Sequence, residues 1–219
     1  AEILSNLMMG QTDKIGTNTI VPDPSNDSNQ KQPSQKVVEP SSSTKREVIC
    51  LSDIYAHNNR GNMVLNGISF KLHEGEILGV AGVSGNGQVE LAEVLSGMRS
   101  FHRGKYNFLK ETLRKPNVIQ MIEKGVGYIP EDRKLFGVSP RLSIAYNFML
   151  RDLQNPSFFR HGILRKKNVH ELGKKQMQKF DIRAPSEKIS VGSLSGGNMQ
   201  KVILARESSR QLKLLLACQ

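Results

Sequence analysis

The stretch that decides the fold is EILGVAGVSGNGQVELAEVLSG, Glu76–Gly97. It opens on a short apolar run, Glu76–Ala81, that fits a buried parallel strand. A glycine-rich loop follows, and then a helical pattern with Gly97 as its stop. A phosphate-binding loop between strand and helix reads G-x-x-x-x-G-K-[ST]. Gly82 and Gly87 hold the two glycine positions, but Gln88 and Val89 stand where lysine and a hydroxyl belong. The loop has the backbone of a phosphate cradle without its cation.

Working outward, REVICLSDI and LNGISFKL alternate as half-buried strands do. GVGYIPEDR, Gly125–Arg133, reads as a strand running into a turn, and residues 136–183 read as mostly helical with breaks near Pro156 and Gly162. SVGSLSGGNMQKVILARESSRQ is a loop feeding a helix, with Met199, Val202, Ile203 and Arg206 at helical spacing. LKLLLACQ reads as a second buried strand. Strands alternating with helices predict an α/β domain with a mainly parallel sheet.

The first 44 residues differ in kind. Residues 21–47 are rich in Ser, Asn, Gln and Pro, too polar to offset the entropy of ordering, and are read as a linker. The formal net charge is +11; residues 1–44 contribute −2, which leaves +13 on the remainder. Part of that excess lies in RHGILRKKNVHELGKKQMQK, Arg160–Lys179. No aromatic residues interleave there as base stacking would require. The solvated face of an amphipathic helix, with Val169, Leu172, Met177 and Phe180 inward, is favoured over a nucleic-acid or anionic-membrane patch. Cys50 and Cys218 are the only cysteines and lie far apart, which predicts buried thiols rather than a metal cluster. No apolar run approaches the ~20 residues a membrane span needs.

LSGGNMQ, Leu194–Gln200, places a serine and two glycines at a helix start. Free N–H groups and the helix dipole favour an anion there, although an N-cap serine with a flexible entry accounts for the pattern equally well. Position adds weight: the motif lies downstream of the loop and shortly before an apolar strand.

The combination GVSGNGQVE, GYIPEDR, LSGGNMQKVILARE and LLLACQ resembles the ATP-binding subunits of ABC transporters. More closely, it is similar to the second of two fused ATPase halves in sugar- and nucleoside-type importers, from about Val48 to Gln219. The resemblance implies a P-loop ABC-type ATPase domain: a parallel-sheet core, an antiparallel β subdomain and a helical subdomain at about 136–200, incomplete at its C-terminus. It implies that 1–44 is the end of a preceding half plus an interdomain linker, and that 45–219 is the ATPase domain.

Site residues follow from the same resemblance. Gly82, Ser84, Gly85, Asn86, Gly87, Gln88, Val89 and Glu90 correspond to the nucleotide-binding loop. Leu194, Ser195, Gly196, Gly197 and Gln200 correspond to the signature motif, and Glu131 falls at the glutamine-loop position. Cys218 and Gln219 stand where a Mg²⁺-binding aspartate and a water-activating glutamate are expected. No catalytic residue and no metal ligand is therefore assigned. Adenine stacking falls near His57–Arg60, with Tyr55 slightly early.

The implied cofactor is ATP, with Mg²⁺ doubtful at this loop, and the domain alone is expected not to hydrolyse ATP. The implied partners are a first ATPase half, membrane permease subunits and a separate solute-binding protein, with no nucleic acid. The implied location is the cytoplasmic face of the membrane. The rival readings are an inactive nucleotide-binding scaffold and a soluble ABC protein acting on ribosomes or DNA.

Overall fold

The computed structural model describes residues 18–20, 45–83, 85–153 and 155–218. It divides into two units. Of the described residues, the first carries those up to Val94 together with Ser100–Lys115, and the second carries Leu95–Arg99 and those from Pro116 onward.

The first unit is built on an antiparallel sheet. β2 (Glu47–His57) and β3 (Met63–His73) pair with each other, and β5 (Arg103–Phe108) and β6 (Glu111–Leu113) complete the order β3-β2-β5-β6. Val48, Ile49, Leu51, Ile54 and Ala56 of β2 are all buried. Their spacing is not a clean alternation, because register shifts between Glu47 and Ile49 and between Leu51 and Ile54 re-aim the side chains. Asp53 lies at one such irregularity, with φ 49°, and its N–H is held by Ser69 Oγ at 2.8 Å. Gly104 on β5 lies against the Asp53 carbonyl, where a Cβ would collide. Tyr106 and Phe108 fill the sheet's buried face, and burial pushes the Tyr106 phenol above its ordinary range.

In the same unit, β4 (Leu78–Val80) pairs in parallel with β1 (Asn18–Ile20). The apolar run Glu76–Ala81 thus forms a three-residue strand, with Val80 53 % exposed, rather than the fully buried strand its composition predicts. The strand β1 falls in the N-terminal segment read as end and linker; the rest of 1–44 lies outside the described residues. The glycine-rich loop leads from β4 into α1 (Gln88–Leu95), and Gly97 stops that helix at φ 77°.

The second unit is mostly helical. α2 (Val118–Glu123) starts on an Asn117 cap and β7 (Val126–Ile129) follows it. A π-helical turn (Arg133–Gly137), α3 (Ile144–Met149), α4 (Lys166–Lys179) and α5 (Gly196–Ser208) follow in order, and β10 (Leu214–Ala217) closes the described chain in parallel with β7. Asp132 caps the π turn by accepting from Lys134 N and Leu135 N, and Ser143 caps α3. Asn147 is wholly buried, and its amide bonds Ser139 N and the carbonyls of Ser139, Leu142 and Ser143, fixing the approach to α3.

The core of this unit centres on α5, whose Met199, Val202, Ile203, Leu204 and Ala205 pack with Ile129, Ile144, Phe148, Ile182 and Val191. Val169, Leu172, Met177 and Phe180 turn inward from α4 as the sequence predicts. Gly173 lets α4 approach α3, since a Cβ there would meet the Ala145 Cβ at 2.7 Å.

The segment 136–183 is less helical than its sequence reads. Between α3 and α4 lies a hairpin of β8 (Phe159–Arg160) and β9 (Ile163–Leu164). Its turn residues His161 and Gly162 have φ 49° and 78°, the geometry of a type I′ turn. Cys50 and Cys218 are free and half-buried rather than buried, because Cys50 sits on a strand and Cys218 just past the end of one. No helix among the described residues is long and apolar enough to cross a membrane.

Candidate functional site: two glycine-rich helix starts

The loop before α1 is folded onto itself. The Val83 carbonyl accepts from Asn86 N at 3.1 Å and from Gln88 Nε2 at 3.3 Å. The Gln88 carboxamide lies over Gly82 so closely that a Cβ there would overlap Nε2. Gly87, at φ 97°, faces the Val64 carbonyl, which a Cβ would approach to 2.7 Å. Gly85 has φ 90° and open space around it. Gly85 and Gly87 are thus required by their positive φ, and Gly87 also by the Val64 carbonyl, whereas Gly82 is crowded only by the flexible Gln88 side chain. Val89 is 41 % exposed and offers no oxygen. Glu90 sits in the first turn of α1, where a carboxylate satisfies the helix dipole that would otherwise favour a phosphate. Ser84 lies outside the described residues.

These residues fit a nucleotide poorly at this loop. No lysine or arginine stands in it, one backbone N–H is turned inward, and the side chain at the lysine position is engaged with the loop. Near it in sequence, β3 begins opposite His57, which stacks on His102 with ring centroids 4.3 Å apart and planes 21° apart. Tyr55 is covered by Arg103 at 5.0 Å from its ring centre. The flat group in this neighbourhood is therefore the imidazole pair, with Tyr55 already engaged.

The second helix start, in the other unit, has the opposite character. Leu194 packs against the core and anchors the motif. Ser195 caps α5: its Oγ accepts from Asn198 N at 3.4 Å and from Asn198 Nδ2 at 3.1 Å. A hydroxyl has two acceptor lone pairs and one donor proton. With both lone pairs occupied, the Ser195 proton is left to donate outward. Gly196 and Gly197 have no atom of the described chain within 4 Å of a Cβ position, and neither has positive φ. Nothing among the described residues demands glycine there. Gln200 stands one turn beyond Gly196, half-buried on α5. An exposed hydroxyl donor, two bare backbone N–H groups and the dipole of a thirteen-residue helix suit a phosphate.

The C-terminal ends of β7 and β10 bring a third set together. Cys218 N donates to Ile129 O at 2.9 Å, which places Cys218 beside the strand end that leads through Pro130 to Glu131. Glu131 is exposed. Gln219 lies outside the described residues.

Glu207 is the residue that sequence reasoning missed. Its side chain is 2 % exposed and lies 2.8 Å from Arg151 Nη2, while Arg206 Nε donates to it at 3.0 Å. It also accepts from Tyr128 N at 3.3 Å, joining α5 to β7. Burial lowers the Arg151 guanidinium below its ordinary range, with Glu207 opposing that shift. Arg206 reaches the interior through this carboxylate rather than through apolar character. The adjacent Arg-Glu pair on a helix flanked by apolar residues was the available signal.

A glycine-rich strand–loop–helix and a helical region with a second helix that starts on open glycines define a P-loop nucleotide-binding cassette. The chain belongs to the ABC transporter family, whose profile matches residues 65–217. It is 33 % identical over 175 residues to a nucleoside import ATP-binding protein, NupA, of Lactococcus lactis, covering 80 % of this chain and 35 % of that protein. It is 35 % identical over 174 residues to a glucose import ATP-binding protein of Haloferax volcanii, covering 78 % and 32 % respectively. The chain thus spans about a third of the length of these relatives. Its fold is similar to that of the dimeric bacterial ABC transporter cassette MJ0796, with a TM-score of 0.61 at 16 % identity over 77 % of this chain and 72 % of that one.

Proposed function

We propose that this chain is the second ATPase half of an ABC importer, and that it acts by supplying its signature helix to an ATP bound on a partner half. The observation that carries this is the contrast between the two glycine sets. Gly85 and Gly87 are accounted for by positive φ and, at Gly87, by the Val64 carbonyl of β3, whereas nothing among the described residues accounts for Gly196 and Gly197. Glycine where no local contact requires it fits close approach by an external group, and Ser195 offers a donor beside it.

In this reading residues 45–219 form the ATPase domain, about 136–200 its helical subdomain, and 1–44 the end of a preceding half with its linker. The partners are a first ATPase half, permease subunits and a solute-binding protein, and the chain sits on the cytoplasmic face of the membrane. The π turn supports permease docking: it exposes Leu135 by 68 % and Phe136 by 71 % shortly after Glu131, an apolar pair of the kind that marks an interface. The solute is a nucleoside or a sugar, the classes that the relatives' names carry.

The chain's own residues then divide the work. Ser195 and the N–H groups of Gly196 and Gly197 would bind and orient the terminal phosphate, stabilising charge where phosphoryl transfer develops it. Gln88, Val89 and Glu90 give this half no means to hold Mg²⁺ phosphate, so the chain alone would not turn over ATP. The test is ATP turnover of the reconstituted transporter carrying Ser195→Arg or Gln88→Ala. Ser195→Arg is expected to abolish turnover and Gln88→Ala to leave it near normal. The reverse ranking would overturn the reading.

A further inference from the structure

Between Phe159 and Phe180 the chain carries seven lysines and arginines and one acid, Glu171. Charge alone suits a solvated helix face. The hairpin changes that balance. In β8–β9, Phe159 stands opposite Leu164 and Arg160 opposite Ile163. The first pair packs against the cluster of Ala145, Met149, Phe158 and Val169. Alternation along a strand turns the second pair to the other face, and Ile163 is 73 % exposed there. The hairpin is held in place: Arg165 N donates to Phe158 O at 2.8 Å, and Asn168 Nδ2 donates to Ser157 O at 2.6 Å.

The helix that follows continues the surface. Val169, Gly173 and Gln176 are the buried positions of α4, so Lys167 and Lys174, two turns apart, share its solvent side with Lys175. All three are exposed, as are Arg160, Arg165 and Lys166. The one acid is already near a cation, with Glu171 3.9 Å from Lys167.

We propose that the β8–β9 hairpin and the solvent face of α4 dock on an anionic lipid surface. Lysine and arginine would meet phosphate headgroups, and Ile163 would pass between them toward the acyl boundary. A nucleic acid fits less well. Its bases would need exposed aromatic faces, yet Phe158 is buried and Phe159 is packed under the hairpin. This surface uses none of the residues assigned to nucleotide, so lipid binding can fail or hold independently of the ATPase reading.

The experiment is flotation of the full chain with phosphatidylcholine vesicles, with and without phosphatidylglycerol, in the absence of permease and nucleotide. Flotation only with phosphatidylglycerol, and its loss at high salt, is expected. Lys167→Glu with Lys174→Glu and Lys175→Glu should lower the bound fraction at least about tenfold, since each surface cation contributes about fivefold. Ile163→Ser should lower it several-fold, while Ile163→Leu should preserve it; all four positions are exposed, so folding is retained. Absence of flotation, equal flotation with neutral vesicles, or indifference to both sets of substitutions would overturn the proposal. So would tight, salt-sensitive binding to single-stranded RNA without flotation, which would assign the surface to nucleic acid.

Discussion

Asn198 ties Ser195 to Arg183, in the turn after α4. Its Nδ2 donates to Ser195 Oγ at 3.1 Å, and its Oδ1 accepts from Arg183 N at 2.9 Å. One amide thus sets the direction of the Ser195 proton and anchors the first turn of α5. Lys201 repeats the attachment one turn on, donating to Asp181 O at 2.7 Å and Oδ2 at 3.0 Å.

Asn198→Ala tests this positioning role. The backbone cap from Asn198 N survives, but the second bond to Ser195 and the acceptor for Arg183 are lost. Stability is expected to fall by about 1–2 kcal/mol, read by urea unfolding. Turnover of the complete transporter should fall about tenfold at saturating ATP. Unchanged turnover with lowered stability would make Asn198 structural only.

The Asp181–Lys201 contact predicts an acid-sensitive term. The hydrogen bond from Lys201 and its charge, with that of Arg183, hold the Asp181 carboxyl below its ordinary range. A folded pKa below the unfolded one gives stability that is present above the unfolded pKa and is lost as pH falls through the folded one. Lys201→Met should therefore be less stable than the parent near neutral pH, with the gap closing in acid, below the usual carboxylate range of about 4. Asp181 is 65 % exposed, so added salt should narrow the gap as well. Urea unfolding across pH at two salt concentrations checks both; a gap that is constant in pH would refute the pairing.

Glu207 carries a larger share. Glu207→Gln leaves Arg151 and Arg206 without their carboxylate while both remain buried or nearly so. Breaking a buried pair from one side costs about 3–5 kcal/mol, so the thermal midpoint should drop by about 6–20 °C for a domain this size. Replacing Glu207 and Arg151 together by leucine should recover part of the loss. A drop of equal size in the double variant would show that packing, not charge, holds α5 to β7.

The elements with strong local signals were legible in the sequence. α1 and α5 combine a periodic apolar pattern with a stop or a cap, Gly97 after α1 and Ser195 before α5, and β2, β3 and β10 stand out as apolar-rich runs. Two of the hairpins were not. β5–β6 turns through Leu109 and Lys110, at φ 51° and 69°, and β8–β9 through His161 and Gly162. Leucine and lysine announce no turn, and β6, β8 and β9, two or three residues long, show no period. These turns are imposed by what their flanking residues bury, Tyr106 and Phe108 in one case and Phe158 in the other. The LSGGNMQ helix start could be read from the chain because its residues are contiguous. The Gln88–Val83 contact and the Glu207 cluster could not, because they depend on where side chains turn after folding.

The glycines give the sharpest test, because stability and function should move in opposite directions. At Gly87 a Cβ would meet the Val64 carbonyl at 2.7 Å on a backbone at φ 97°. Gly87→Ala should destabilise the fold by about 1–3 kcal/mol. At Gly197 the Cβ position is open and the helix conformation is ordinary. Alanine there should raise stability by about 0.5–1 kcal/mol, since glycine loses more freedom in a helix. The same methyl would stand between the bare N–H groups and a partner-bound phosphate, so turnover of the complete transporter should fall even as the chain becomes more stable. Unfolding curves and turnover, measured on both variants, separate the two roles. If Gly197→Ala gains stability and keeps full turnover, the open glycines serve only as a flexible helix entry. The signature helix would then not be the working face of this half.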